Sequence, residues 1–190
     1  MLRGTHLRRP LILAFIMLLF IRPSLANDDA NITIKTAKLS LQEQTYLLSS
    51  RIDYTLSEEA LKALKNGITL TFNVELSIIE PRSWLWDKYH NSIHLSYQIK
   101  YHTLAQTYQA TDVKNNVQHS FSRLEPALHS IGTLTEVPIH ALLKHDDIDV
   151  YGSLTAYLNI EALPLPMRPM AYITPGWHLS SETFRWSLKP

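Results

Sequence analysis

Ile68-Thr69-Leu70-Thr71-Phe72-Asn73-Val74-Glu75-Leu76-Ser77-Ile78 places six apolar side chains on every second position, with five polar ones between them. Successive side chains of an extended chain point to opposite faces, so this strict period of two describes a strand with one buried and one wet face. The alternation recurs upstream, where Tyr46, Leu48, Ile52, Tyr54 and Leu56 interleave with Thr45, Ser49, Arg51, Asp53 and Thr55. Downstream it appears in Ile93, Leu95, Tyr97, Ile99 and Tyr101, and again in Leu154, Ala156, Leu158, Ile160 and Ala162. Shorter strands are predicted over 32–41, 104–111, 117–121, 170–173 and 184–188. Asn115-Asn116 supplies a turn between two of them, because Asn tolerates the positive φ of tight hairpins.

Brief helices interrupt this pattern. Ser57 is placed to cap a helix over 58–66, with Glu58 and Glu59 at its positive N-terminal end and Gly67 as a left-handed stop. Ser122 and Glu125 read as a capping box ahead of Leu124, Leu128 and Ile131, with Pro126 in the first turn and Gly132 as the stop. Pro138–Lys144 reads as a third helix. Long alternating strands with few helices predict a mainly β protein, an antiparallel β-sandwich with two or three short helices. A parallel doubly wound fold would need continuous apolar strands, each followed by a helix.

Residues 1–26 read as a cleaved signal peptide. Arg3, Arg8 and Arg9 precede an eleven-residue apolar run over 11–21, Pro23 breaks it, and Ser24-Leu25-Ala26 offers the small residues of a cleavage site. At about 1.5 Å per residue the run spans about 16 Å, roughly half a hydrocarbon core, so an uncleaved inner-membrane anchor is the weaker alternative. The expected mature chain, 27–190, is a single domain in the periplasm, with no stable transmembrane segment. Removing the four arginines of 1–26 from 18 basic and 17 acidic residues leaves 14 against 17, a net charge of −3, and no basic stripe for nucleic acid. Zero cysteines exclude disulfides, thiol nucleophiles and thiolate metal sites, and suit an oxidising compartment.

The segment Ala60-Leu61-x-x-Leu64-x-x-Gly67-Ile68-x-Leu70-x-Phe72-x-Val74-Glu75 resembles the most recognisable stretch of the DUF4390 family of exported bacterial proteins. Trp84-x-Trp86, Leu95-Ser96-Tyr97, Leu104 with Tyr108, Leu124-Glu125-x-Ala127-Leu128, Leu163-Pro164-x-Pro166-Met167-Arg168-Pro169 and Trp177-x-Leu179-Ser180-Ser181 with Trp186 follow in order. The resemblance covers essentially the whole mature chain. It implies no catalytic residue, the family being a domain of unknown function. It implies an envelope partner, a sensor histidine kinase of the NtrY type, because some relatives are encoded beside one.

Read residue by residue, the chain offers little chemistry. It has no Gly-x-Ser-x-Gly elbow, no Ser-x-x-Lys and no phosphate-binding glycine loop, so no catalytic residue, no cofactor and no enzymatic activity are expected. Glu75, Glu80 and Asp87 are the nearest approach to paired carboxylates. His90 and His94 have the spacing of a helical zinc site, but on a strand residues four apart lie about 13 Å from each other. His145-Asp146-Asp147-Ile148-Asp149 collects hard ligands without the glycine turn or terminal glutamate of a calcium loop. No metal site is predicted.

The candidate partner-binding residues are Trp84, Trp86 and Tyr89, with Pro164, Pro166 and Arg168 of the proline-spaced run. Exposed aromatics beside a rigid proline segment suit protein recognition. The competing reading has the tryptophans closing an open end of the sandwich and the prolines turning a corner between sheets. Two functions follow. The first is a non-enzymatic periplasmic protein-binding module, accessory to an envelope sensor kinase. The alternative is a carrier or sensor of an apolar or envelope-derived ligand, held between the sheets by Tyr46, Tyr54, Phe72, Tyr97 and Tyr101.

Overall fold

A computed structural model describes residues 31–42, 45–80, 88–139 and 150–188. The signal segment, Trp84, Trp86, Asp87 and the His145–Asp149 cluster lie outside these residues. In chain order the elements are β1 (Asn31–Gln42), β2 (Thr45–Thr55), α1 (Glu58–Lys65), β3 (Leu70–Glu80), β4 (Lys88–His102), β5 (Thr107–Asp112) and β6 (Val117–Phe121). They continue with α2 (Leu124–Gly132), β7 (Thr133–Ile139), β8 (Tyr151–Leu158), α3 (Arg168–Ile173) and β9 (Phe184–Ser187). A small sheet of order β1-β2-β7 faces a larger one of order β6-β5-β4-β3-β8-β9. All pairings are antiparallel.

The alternating stretch is the centre of this arrangement. β3 pairs with β4 on one side and β8 on the other, and Leu70, Phe72, Val74, Leu76 and Ile78 are each at most 1% exposed. Their partners across the core include Ile32, Leu48 and Ile52 of the small sheet, and the Tyr54 ring lies 4.8 Å from that of Phe72. The opposite face of the large sheet is polar and cross-linked between strands. Ser96 Oγ donates to Asn73 Oδ1 at 2.9 Å, and Ser92 Oγ donates to Glu75 Oε1 at 2.9 Å.

One end of the sandwich is closed by the chain after β8. Three 3₁₀ turns (Ile160–Ala162, Leu165–Met167 and Pro175–Trp177) fold around α3, and Leu163, Ala171, Trp177 and Leu179 plug the core. The chain then returns along β8 through a Tyr157–Ser180 bridge. Among the described residues no helix is long and apolar enough to cross a membrane.

Several local expectations are corrected. Residues 170–173 belong to α3 instead of a strand, and Pro169 fits its first turn, where a missing N–H costs little. The proline-spaced run is therefore 3₁₀ and α-helical, although Pro164 itself keeps extended angles (φ −53°, ψ 137°). The strand expected from Leu104 begins at Thr107, after a turn in which Gln106 has φ 54°. Ile160 and Ala162 lie in a 3₁₀ turn beyond the end of β8. Pro138 sits inside β7, an edge strand that tolerates it, while 140–144 of the expected helix are not described.

β7 escapes the period-two rule because of a bulge. Thr135 and Glu136 together oppose Ser49, Glu136 takes φ 49°, and its N–H donates to Ser49 Oγ at 3.2 Å. Leu134, Val137 and Ile139 are thereby spaced by three and then two, which masks the alternation.

Candidate functional site

α2 bridges the two sheets at the side where β7 and β6 form their edges. It packs on β2, β5 and β6 and buries Ala127, Leu128 and Ile131. Gly132, its last residue, lies so close to the Ile52 carbonyl oxygen that a Cβ would overlap it. The Ser122–Glu125 capping box does not form. The N-cap is Arg123, in extended conformation, and its side chain makes no capping bond.

Between α2, β2 and β6 runs an open groove of about 970 Å³. Its floor is apolar, from Ile52, Tyr54, Phe121, Pro126 and Leu128; its rim carries Asp53, His119, Arg123, Glu125 and His129. A smaller groove of about 370 Å³ continues between the β5–β6 hairpin and β7, sharing His119 and Ser130 with the first. β6 forms a wall of both grooves. It is exposed almost throughout, and its outer edge carries no strand among the described residues. An unpaired strand edge presents free N–H and C=O groups to any extended segment laid beside it.

The rim does not assemble a nucleophile and base. His129 Nε2 lies 3.1 Å from Arg51 Nη2, and its Nδ1 lies 3.5 Å from Thr133 Oγ1. A guanidinium only donates, so Nε2 accepts and the imidazole proton sits on Nδ1. The Thr133 hydroxyl donates to the His129 carbonyl at 2.9 Å. The imidazole thus holds no lone pair toward that hydroxyl, the opposite of what general-base activation needs. Two tyrosines at the grooves are perturbed. Burial, with Asp112 as the lesser cause, pushes Tyr97 up to about 12, and burial, followed by neighbouring Tyr97, raises Tyr54 further. The Tyr54 hydroxyl is buried without a hydrogen-bond partner.

The residues singled out in sequence fall in different places. Pro164 and Pro166 are exposed at the closed end, while Arg168 Nε donates to the Leu163 carbonyl at 2.8 Å and so holds that turn. Beside them Leu165, Met170, Tyr172 and Ile173 are exposed, apolar residues absent from the candidate set. Tyr89 pairs through its backbone with Ile79, whereas the chain carrying Pro164 leaves β8 opposite Phe72. Seven residues of strand, about 23 Å, separate those levels, so Tyr89 and the prolines do not share a surface.

His90 and His94 both lie in β4, and His94 Nδ1 is 4.0 Å from Glu75 Oε2. Among the described residues no three His, Cys, Asp or Glu side chains come close enough to hold a metal ion. Of the aromatics expected to line a cavity, Phe72 fills the core, Tyr54 and Tyr97 belong to the core and also line the larger and the smaller groove, and Tyr101 lies 4.7 Å from Tyr108. The open volume is lateral, under β6. Its signal in sequence was faint: Val117-Gln118-His119-Ser120-Phe121 is a strand with no charge, no proline and little to bury.

Fold and grooves together define an antiparallel, mainly β sandwich with one helix bridging its sheets. The chain belongs to the DUF4390 family, a domain of unknown function, whose model matches residues 29–187. No curated protein and no solved structure matches it.

Proposed function

We propose that this protein is a non-enzymatic protein-binding module of the periplasm, exported by its N-terminal signal, and that its partner is an envelope sensor histidine kinase of the NtrY type. The observation that carries this reading is the unpaired edge of β6 above an apolar groove with a mixed-charge rim. An extended segment added to β6 would gain backbone hydrogen bonds, and every second side chain would drop toward the groove. The arrangement at His129 favours binding over hydrolysis.

The test is photo-crosslinking in the native envelope, with the reactive group at Val117 or at His119. The expected product is one membrane kinase, lost when Val117→Lys puts a charge on the edge. A folded protein that yields no product above background at either position would sink the proposal. The second reading, a carrier of an apolar ligand, draws on the same groove, whose volume lies within the usual range of small-molecule sites. Native mass spectrometry of envelope-purified protein separates the two, a bound mass favouring the carrier.

A further inference from the structure

Five of the seven large apolar side chains that are exposed among the described residues lie at the closed end of the sandwich. Leu165, Met170, Tyr172 and Ile173 stand on the turn and helix that plug it, at 72%, 63%, 51% and 75% exposure. Leu104, fully exposed, forms the tip of the β4–β5 hairpin at the same end, where His102 pairs with Thr107. The remaining two, Val113 and Val117, flank the β5–β6 turn. Val113 bonds to Ser96, six residues back along β4 and about 20 Å from that tip. A surface that gathers its apolar side chains at one pole has a medium or partner there.

The first described residue is at this pole too. Asn31 opens β1 opposite Thr55, the last residue of β2. Thr55 leads through Ser57 into α1, and the Glu59 carboxylate of α1 packs on Gly176, three residues beyond Ile173. Nine residues precede Asn31 after the apolar run 11–21, so that run lies within about 36 Å of Asn31 even if the connection is fully extended. Turning the opposite pole toward the run would spend that whole reach, because an eleven-residue strand such as β3 is itself about 36 Å long. As the uncleaved anchor, the alternative to a cleaved signal for 1–26 on which this inference rests, the run and its flanking arginines have the chemistry of a segment that stays in lipid.

We propose that the closed end is a bilayer-facing surface, with Leu104, Leu165, Met170, Tyr172 and Ile173 seated among lipid headgroups and upper acyl chains. Tyr172 suits that layer, where an aromatic body with a polar tip is favoured. The occupant is the membrane itself, since the exposed apolar pole and Asn31, the first described residue, lie on one side of the fold, with the retained run in reach of Asn31. The proposal goes beyond the binding role of β6 and gives it an orientation. The Tyr54 level of the groove is one residue from the Asn31–Thr55 pair, so the groove opens just above the membrane surface.

The chain contains no cysteine, which permits single labels. The full chain, carrying an environment-sensitive fluorophore on Ile173→Cys, Leu104→Cys or Val113→Cys, is mixed with vesicles of phosphatidylethanolamine and phosphatidylglycerol containing a nitroxide lipid. Circular dichroism checks that each variant is folded. Quenching several-fold stronger at 173 and 104 than at 113 is expected. Equal quenching at all three positions would mean that the chain merely hangs from its N-terminal run, and overturns the proposal. No quenching anywhere overturns it as well. So does quenching at 173 that appears only after a membrane protein is added to the vesicles, because the patch would then belong to that protein. The vesicles otherwise contain no second protein, so failure here leaves the β6 proposal untouched.

Discussion

α1 begins on Ser57, whose hydroxyl accepts the Ala60 N–H at 3.1 Å, and is followed by Gly67 at φ +83°. α2 begins on Arg123, whose side chain caps nothing, and ends on a glycine outside the left-handed region. Both helices carry a serine ahead and a glycine behind in sequence. In α1 those residues act locally, on the helix's own orphan backbone groups. In α2 the glycine acts across the fold, letting the helix end lie against the Ile52 carbonyl so that one element closes both sheets. The same residue types thus mark a helix end in one place and a tertiary contact in another, and only the packing partner distinguishes them.

Breaking the contact at α2 should have the largest effect. In Gly132→Ala the added methyl meets a backbone carbonyl that cannot swing away, and Tyr54 Cε2 lies 3.3 Å from the same point. A cost of about 3 kcal/mol is expected, on the order of 10 °C in Tm for a domain of this size. Thermal unfolding followed by circular dichroism measures it. A loss under about 1 kcal/mol would mean that α2 shifts freely and does not pin the sheets.

The tyrosines under α2 give the next effect. Folding holds Tyr97 neutral up to about 12 and Tyr54 beyond that, against an ordinary value near 10.0. Both folded values lie above the unfolded ones, so this contribution is fully present below pH 10 and is lost as pH rises through the folded values. In that window stability falls by about 1.4 kcal/mol per pH unit for each tyrosine kept neutral. Tyr54→Phe removes one of these slopes together with a hydroxyl that has no partner. Its stability at neutral pH should match or exceed that of the parent by about 1 kcal/mol, and its alkaline loss should be shallower. Urea unfolding at neutral pH and between pH 10 and 12 tests both. A destabilised Tyr54→Phe would show that the hydroxyl has a partner after all.

At α1 the expected losses are local and smaller. Gly67→Ala faces no steric obstacle, since the nearest atom to an added Cβ is Tyr101 O at 3.8 Å. The left-handed angle alone should cost roughly 1–2 kcal/mol, and Gly67→Asn should recover part of it. Ser57→Ala strips the cap from a buried helix start and should cost about 1 kcal/mol. If Gly67→Ala cost as much as Gly132→Ala, the distinction between local and tertiary glycines would fail.

The same division governs how far the fold was legible in sequence. β3 keeps its apolar residues on a strict alternation from Leu70 to Ile78 because it is central and pairs in unbroken register over that span, and α1 announces itself because its caps are chemical. β7 is masked in sequence because a bulge with Glu136 at positive φ breaks its period, and α3 reads as a strand because only Ala171 of its six residues is buried, which leaves no helical stripe. The candidate site was legible only in part. Pro164 and Pro166 are exposed as a recognition surface requires, but Arg168 is committed to its own turn, and Tyr89 stands at another level of the sheet. The groove under β6 is invisible in sequence, because its walls come from β2, β6 and α2, which are distant along the chain and meet only in the fold.

Ser122→Ala sets the lower bound of the comparison. Sequence pairs Ser122 with Glu125 as a capping box, so a box that formed would make this substitution cost about 1 kcal/mol, the same as Ser57→Ala. In the fold the N-cap position belongs to Arg123, and Ser122 is exposed. The expected change is therefore within about 0.5 kcal/mol of zero, the range of surface substitutions that touch no special feature. Measuring the two serine variants side by side by urea unfolding isolates capping from packing, since both remove the same hydroxyl ahead of a helix. A matching loss in the two would place α2 among self-capped helices, and the large cost expected at Gly132 would then need to be apportioned between its cap and its seat on Ile52.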